Sequence, residues 1–165
     1  MASSQKYVLG VLVLAIIQLK AIASSHEHLQ DLKFLNFTLF QHDLTLGIEG
    51  GPDVFAYLGR LTVEANKSSE QVGFAEGTRV LSSPTGRSIS VAILTLSLKD
   101  HKGSLSVVGI VDIVDSTNLP VVGGTKDFLF VQGYVTSSPL NPYDPNVVYE
   151  IQFHLYWPPY ATPSS

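Results

Sequence analysis

Few side chains in this 165-residue sequence have both the type and the setting to do chemistry. Two carboxylic acids stand beside apolar runs: Asp43, after Phe40-Gln41-His42, and Asp112, between Val111 and Ile113. A carboxyl group so placed either exchanges a proton or hydrogen bond with a ligand, or serves the backbone as a turn cap. Asp43 follows a strand-like run and precedes a polar turn that it could cap. Asp112 fits an outward position on a half-exposed strand. Arg79 is either a pocket cation suited to a carboxylate-bearing ligand or a solvated surface charge. His26-Glu27-His28 has the character of a metal-ligand set, but it lies in a polar stretch with no third partner nearby in sequence. Ser82-Ser83 has no nucleophile-elbow pattern around it, so no hydrolytic triad emerges. His42 reads as structural beside Asp43, and His154 faces away from the core side of its strand. Cysteine is absent, which excludes a thiolate nucleophile and thiolate metal sites.

The elements that would position these groups are β-type runs of moderate length, separated by turn residues. Leu35 to Gln41, Val54 to Val63, Val72 to Leu81, Ser88 to Leu98, Ser104 to Val114, Phe128 to Ser137 and Val147 to Trp157 are the candidates, with a short eighth piece around Pro120 to Val122. Such spacing belongs to all-β sandwiches and barrels. The last run alternates most cleanly: Ile151, Phe153, Leu155 and Trp157 share one face, and Glu150, Gln152, His154 and Tyr156 the other. Ser88 to Leu98 is apolar on both faces, so it needs cover on both sides. With no amphipathic helix in sight, a second subunit is the expected cover. Gly123-Gly124 is read as a chain reversal between two strands. Phe128, Phe130, Tyr134, Phe153, Tyr156 and Trp157 are read as core.

Residues 1–23 have the form of a secretory signal: Lys6 in a short basic region, an apolar run from Val8 to Leu19, and a small-x-small site at Ala21-Ile22-Ala23. Removal leaves a polar, flexible segment over 24–33, one domain over 34–158, and a tail over 159–165. The whole sequence carries 10 basic and 14 acidic side chains. Loss of Lys6 and Lys20 makes the mature chain more acidic still, which argues against nucleic acid or an anionic membrane as partner. No second apolar stretch reaches membrane length. An exported chain without disulfides must be held by its core, by oligomerisation, or by both. Asn36-Phe37-Thr38 and Asn66-Lys67-Ser68 are N-glycosylation sequons.

The block Leu119-Pro120-Val121-Val122-Gly123-Gly124-Thr125-Lys126-Asp127-Phe128, continuing to Gly133-Tyr134, resembles the signature of plant dirigent proteins. Phe40-Gln41-His42-Asp43, Leu58-Gly59-Arg60-Leu61-Thr62-Val63, Val72-Gly73-Phe74-Ala75-Glu76-Gly77, Lys102-Gly103-Ser104-Leu105 and Val147-Val148-Tyr149-Glu150 are similar to further family blocks, in the same order. The resemblance implies an all-β fold, an eight-stranded antiparallel barrel, usually a homo-oligomer (a trimer or dimer), secreted to the extracellular space or apoplast. It implies an aromatic guest held in a hollow lumen. Monolignol radicals, such as those of coniferyl alcohol, would be supplied by a separate oxidase, and the protein would steer their coupling without oxidising activity of its own. Relatives close or dehydrate quinone methides, and a barrel that only holds a small apolar or cell-wall ligand is a further alternative. No metal or redox cofactor is implied. Asp43 corresponds to a pocket acid, and Asp112 to a second one, although its spacing from Gly109 is one residue longer. Arg79 and Leu81 stand where the family commonly has two tyrosines, Thr117 and Gln132 where it has arginines, and Ala65-Asn66 where it has paired aspartates. Arg79 and Thr117 are thus the candidate ligand-binding residues.

Overall fold

Strict alternation of buried and exposed residues generates the wall of this molecule. In β8 (Val148–Trp157), Tyr149, Ile151, Phe153, Leu155 and Trp157 are all buried, while the intervening residues are half-exposed. The same period runs through β4 (Ser88–Ser97), where Ser88, Ser90, Ala92, Leu94 and Leu96 point inward. The side-chain period of two permits one packed face per strand, and a sheet with one such face closes on itself to bury it.

The computed structural model describes residues 32–46, 54–82, 84, 87–142 and 147–161, with backbone alone for residues 43–46. The expected signal peptide, the His26-Glu27-His28 set and residues 162–165 lie outside the described residues. The remaining strands are β1 (Lys33–Leu46), β2 (Val54–Thr62), β3 (Gln71–Leu81), β5 (Lys102–Val111), β6 (Thr117–Gly124) and β7 (Gln132–Pro139). They form one closed antiparallel barrel in chain order. β1 closes it, pairing with β2 at one edge (Phe40 opposite Thr62) and with β8 at the other (Phe37 opposite Phe153). The eight-stranded barrel implied by the resemblance is therefore the fold.

The two ends differ. At the lower end, Phe37 stacks on Phe153 at 4.3 Å, and Phe128 and Trp157 lie 6.4 Å apart. Leu61, Leu96, Leu105 and Leu155 complete a dry plug. Burial of each such side chain contributes about 1.5–3 kcal/mol. The polar residues of the lumen collect toward the upper end, where β1, β3, β5 and β7 finish.

Three expectations change. Gly123-Gly124 does not reverse the chain: both glycines belong to β6, and the reversal is a 3-10 turn over Lys126–Phe128. Glycine is needed at 124 because a Cβ there would meet the Phe128 carbonyl oxygen, only 2.1 Å away. Phe128 is consequently not a strand residue but the tip of that turn, fully buried in the lower plug, and β7 starts at Gln132. The aromatic residues also divide. Phe128, Phe153 and Trp157 are core, whereas Phe130 and Tyr134 are exposed, because outward positions and the end of the 3-10 turn leave them no interior to reach.

Candidate functional site in the barrel lumen

The inward positions at the upper end break the apolar pattern. Gln41 on β1, Tyr57 on β2, Arg79 on β3, Ser90 on β4 and Ser137 on β7 all line one interior space, walled by Ala92, Leu94, Val107 and Ile151 among others. Each occupies the parity of its strand's core residues: Gln41 follows Leu39, Tyr57 precedes Leu61, and Ser90 precedes Ala92 and Leu94. Polar groups so placed must be satisfied by one another or by a ligand. The Tyr57 hydroxyl and Ser90 Oγ are 3.2 Å apart.

Arg79 is the central group. Its guanidinium lies over the Tyr57 ring at 4.6 Å and over the Tyr149 ring at 5.1 Å. Both tyrosines are buried. A cation so placed is held by the quadrupoles of two rings, and each such contact is worth about 1–2 kcal/mol when desolvated. Of the two sequence readings, the solvated surface charge is wrong: Arg79 is an inward residue of β3, in the set of Gly73, Ala75 and Gly77. Its neighbours on the outer face, Phe74 and Val80, are the exposed ones.

Thr117 opens β6 opposite Ser137. It is half-buried, and its Oγ1 is buried without a hydrogen-bond partner among the described residues. Asp43 stands opposite Gly59 in the β1–β2 register, at an odd position of β1 like Leu39 and Gln41. Its side chain lies outside the described residues. His42, next to it, is buried, with Nε2 2.9 Å from Thr62 Oγ1, which agrees with a structural role.

Asp112 is not a strand residue. It sits one position past β5, and its Oδ1 accepts hydrogen bonds from the backbone N–H groups of Val114 at 2.9 Å and Asp115 at 3.3 Å. These two amides, and secondarily the Arg87 guanidinium 4.0 Å away, hold its carboxyl below the ordinary value of 3.8. The arrangement keeps a carboxylate on the rim and disfavours a proton donor there. Positions 43, 79 and the neighbouring pair 112 and 117 thus come to one end of the barrel. Arg79 lies in the lumen and Asp112 caps a rim turn.

Among the described residues the lumen holds little empty space. The space among these residues is about 20 Å³, room for one water molecule. Arg79 and the inward tyrosines occupy the volume that an empty barrel would offer. Any guest larger than water must displace side chains at the upper end. Sequence reasoning missed Gln41, Tyr57, Ser90 and Ser137. The signal was present, since each is a polar residue at a position whose parity belongs to the core.

A sequence model of the family described as Dirigent-like protein matches residues 52–156. Dirigent protein 5 of Arabidopsis thaliana is 30% identical over 123 residues, covering 61% of this chain and 67% of that protein. Among solved structures, one pterocarpan synthase dirigent protein superposes with a TM-score of 0.65 at 19% identity, covering 76% of this chain and 86% of its own. A second gives 0.62 at 20% identity, with 75% and 94% covered. A Diels–Alderase from Streptomyces koyangensis gives 0.55 at 20% identity, with 88% and 77% covered. At these identities the structural likenesses establish the fold alone.

Proposed function

Because the chain belongs to the dirigent family, we propose that it is a secreted, non-oxidising protein that steers the coupling of phenoxy radicals from monolignols such as coniferyl alcohol. A separate oxidase supplies the radicals. The observation that carries this reading is Arg79, held between two tyrosine rings at the polar end of an otherwise apolar lumen. A guanidinium offers donors to a phenolic or phenolate oxygen, and the flanking rings offer stacking faces for a flat aromatic. Thr117 Oγ1, buried without a hydrogen-bond partner among the described residues, supplies a further polar atom at the same end. Orientation is the whole task in such chemistry: a held radical with one open face couples with one handedness. Asp43 is assigned to the same site as the group that would hydrogen-bond the phenol. The guest enters by displacing Arg79 from its ring contacts.

Phenols that carry a benzylic hydroxyl, lose it with the phenolic proton as water to give a quinone methide, and then close by attack of a second hydroxyl on that methide are the second substrate class. The filled lumen favours this reading, since closure requires side chains to make way for one molecule and coupling for two. One experiment separates the readings. Coniferyl alcohol and a one-electron oxidant, with and without protein, are analysed by chiral chromatography, alongside a phenolic benzylic alcohol without oxidant. Enantiomeric excess in the first arm supports steering, and faster dehydration in the second supports closure. Arg79→Leu is expected to lower whichever activity is present at least tenfold with an unchanged circular dichroism spectrum. Racemic coupling at every protein concentration removes the first reading.

The remaining features of the proposal are N-glycosylation and oligomerisation. Asn66 lies exposed in the β2–β3 turn, where its Oδ1 accepts from the Ser68 amide, and Asn36 is exposed on the outer face of β1. A second copy of the chain covers the apolar outer face of β4.

A further inference from the structure

A wide concave space, separate from the lumen, lies in the wall of the barrel. The β6–β7 ladder stops at Pro120 opposite Tyr134, and from there the strands part. Val121 to Gly124 continue to pair with β5 alone, with Val122 skipped by the register and pushed outward. The fork leaves an open groove of about 780 Å³ between the lower half of β6 and the segment 129–134, with Tyr156 and Tyr160 on its far side.

Three independent observations mark this groove as built. Phe130 has φ 61°, a left-handed conformation that is strained for a bulky residue. The residue is nonetheless 61% exposed, so burial among the described residues does little to offset that strain. Gly123 is the second: a Cβ there would meet nothing within 4 Å, so the missing side chain leaves the groove floor open. Third, a chain of neutral polar groups crosses one wall. The Tyr156 hydroxyl donates to Gln132 Oε1 at 2.8 Å, and Gln132 Nε2 donates to the Tyr160 hydroxyl at 3.4 Å. Tyr160 itself is 81% exposed. Among the described residues no charged side chain lines the groove.

We infer that this groove binds a neutral polysaccharide strand, its sugar rings laid on Phe130, Tyr134 and Tyr160 and its hydroxyls exchanging hydrogen bonds with Gln132. The C–H faces of pyranose rings are apolar and match exposed aromatic faces, while their edges need uncharged donors and acceptors such as an amide and phenols. A small aromatic molecule fits less well, because small-molecule sites enclose most of their ligand and this groove is open along its length. An extended peptide added to the free edge of β6 would need a regular ladder, which the bulge at Val122 interrupts. A charged polymer finds no counter-charge.

The site is separate from the lumen, so its test is independent of the proposed coupling activity. The full-length secreted protein is titrated with cellohexaose and with xylohexaose by calorimetry, with oligogalacturonate as the anionic control. Binding of a neutral oligosaccharide is expected, weakened at least tenfold by Phe130→Ala and by Tyr160→Ala. Gly123→Leu, whose Cβ would meet nothing within 4 Å, is expected to abolish it while circular dichroism stays unchanged. Arg79→Leu is expected to leave it intact. No binding of either neutral probe, or binding that these groove substitutions leave unchanged, overturns the inference. So does affinity for oligogalacturonate alone. Dissociation of an oligomer by Phe130→Ala would identify the groove as a subunit contact and likewise overturn it.

Discussion

A carboxylate held by two backbone amides titrates differently from one facing an apolar lumen, and Asp112 is of the first kind. Because folding lowers its pKa below 3.8, its contribution to stability is fully present above that value. It is lost as pH falls through the lower folded value. Nuclear magnetic resonance should therefore place the midpoint of the Asp112 carboxyl below 3.8, and the Val114 amide should lose protection from exchange in step with that titration. Asp112→Asn keeps an acceptor oxygen and should retain the turn but lose its acid dependence. A midpoint above 3.8 would contradict the assignment and return Asp112 to the list of proton donors. Asp112 and Arg79 show why residue type alone misleads. Both are charged residues near strand ends, yet the acid serves its own backbone and the cation sits inside the barrel. Only the parity of Arg79 with Gly73, Ala75 and Gly77 distinguishes them in the sequence.

Strand existence was legible wherever alternation was regular, as in β8, whose inward set of Ile151, Phe153, Leu155 and Trp157 is the buried set. It was misleading where polarity is inverted. On β3 and the upper half of β4, small or polar residues (Gly77, Arg79, Ser88, Ser90) face inward and Val80, Ile89 and Val91 face out. Hydrophobicity read as burial assigns those faces backwards, and the physical reason is that the interior there is the polar end of the lumen. The segment after β6 was illegible for another reason. A Gly-Gly pair signals tolerance of a close approach as well as of a turn, and here the approach decides, since Gly124 gives room to the 3-10 turn that seats Phe128. Gly124→Ala should push the Phe128 carbonyl away and partly unseat the lower plug. The expected cost is about 1–3 kcal/mol, the range for overpacking, seen as a fall of roughly 3–10 °C in melting temperature. Gly123→Ala, one residue earlier and facing open space, should change it little. Equal effects at the two positions would show that backbone freedom, not close approach, is what the pair provides.

At the scale of the whole molecule, the inverted strands tie the lumen to the outer surface. Making the upper lumen polar on β3 and β4 moves Val80, Ile89, Val91 and Ile93 to the outside, and the register sets Val108 opposite Val91 and Ile110 opposite Ile89. The result is a continuous aliphatic face on a chain with no disulfide and no helix to cover it, apart from two short 3-10 turns among the described residues. An apolar face of this kind is stable in water when a self-complementary copy buries it, and a stable contact needs about 1,000 Å² or more of total surface. Val91 is the sharpest test because it is 56% exposed in the single barrel. A glutamate there costs the isolated barrel almost nothing, yet it places an unpaired charge in the centre of the contact. The wild-type chain should sediment as an oligomer, and Val91→Glu as a monomer with the same circular dichroism spectrum. If the upper lumen is braced by that contact, the monomeric variant should also lose stereochemical control while Arg79 stays in place. A wild-type chain that remains monomeric at high micromolar concentration would leave the outward valines and isoleucines to be explained by something other than a second copy.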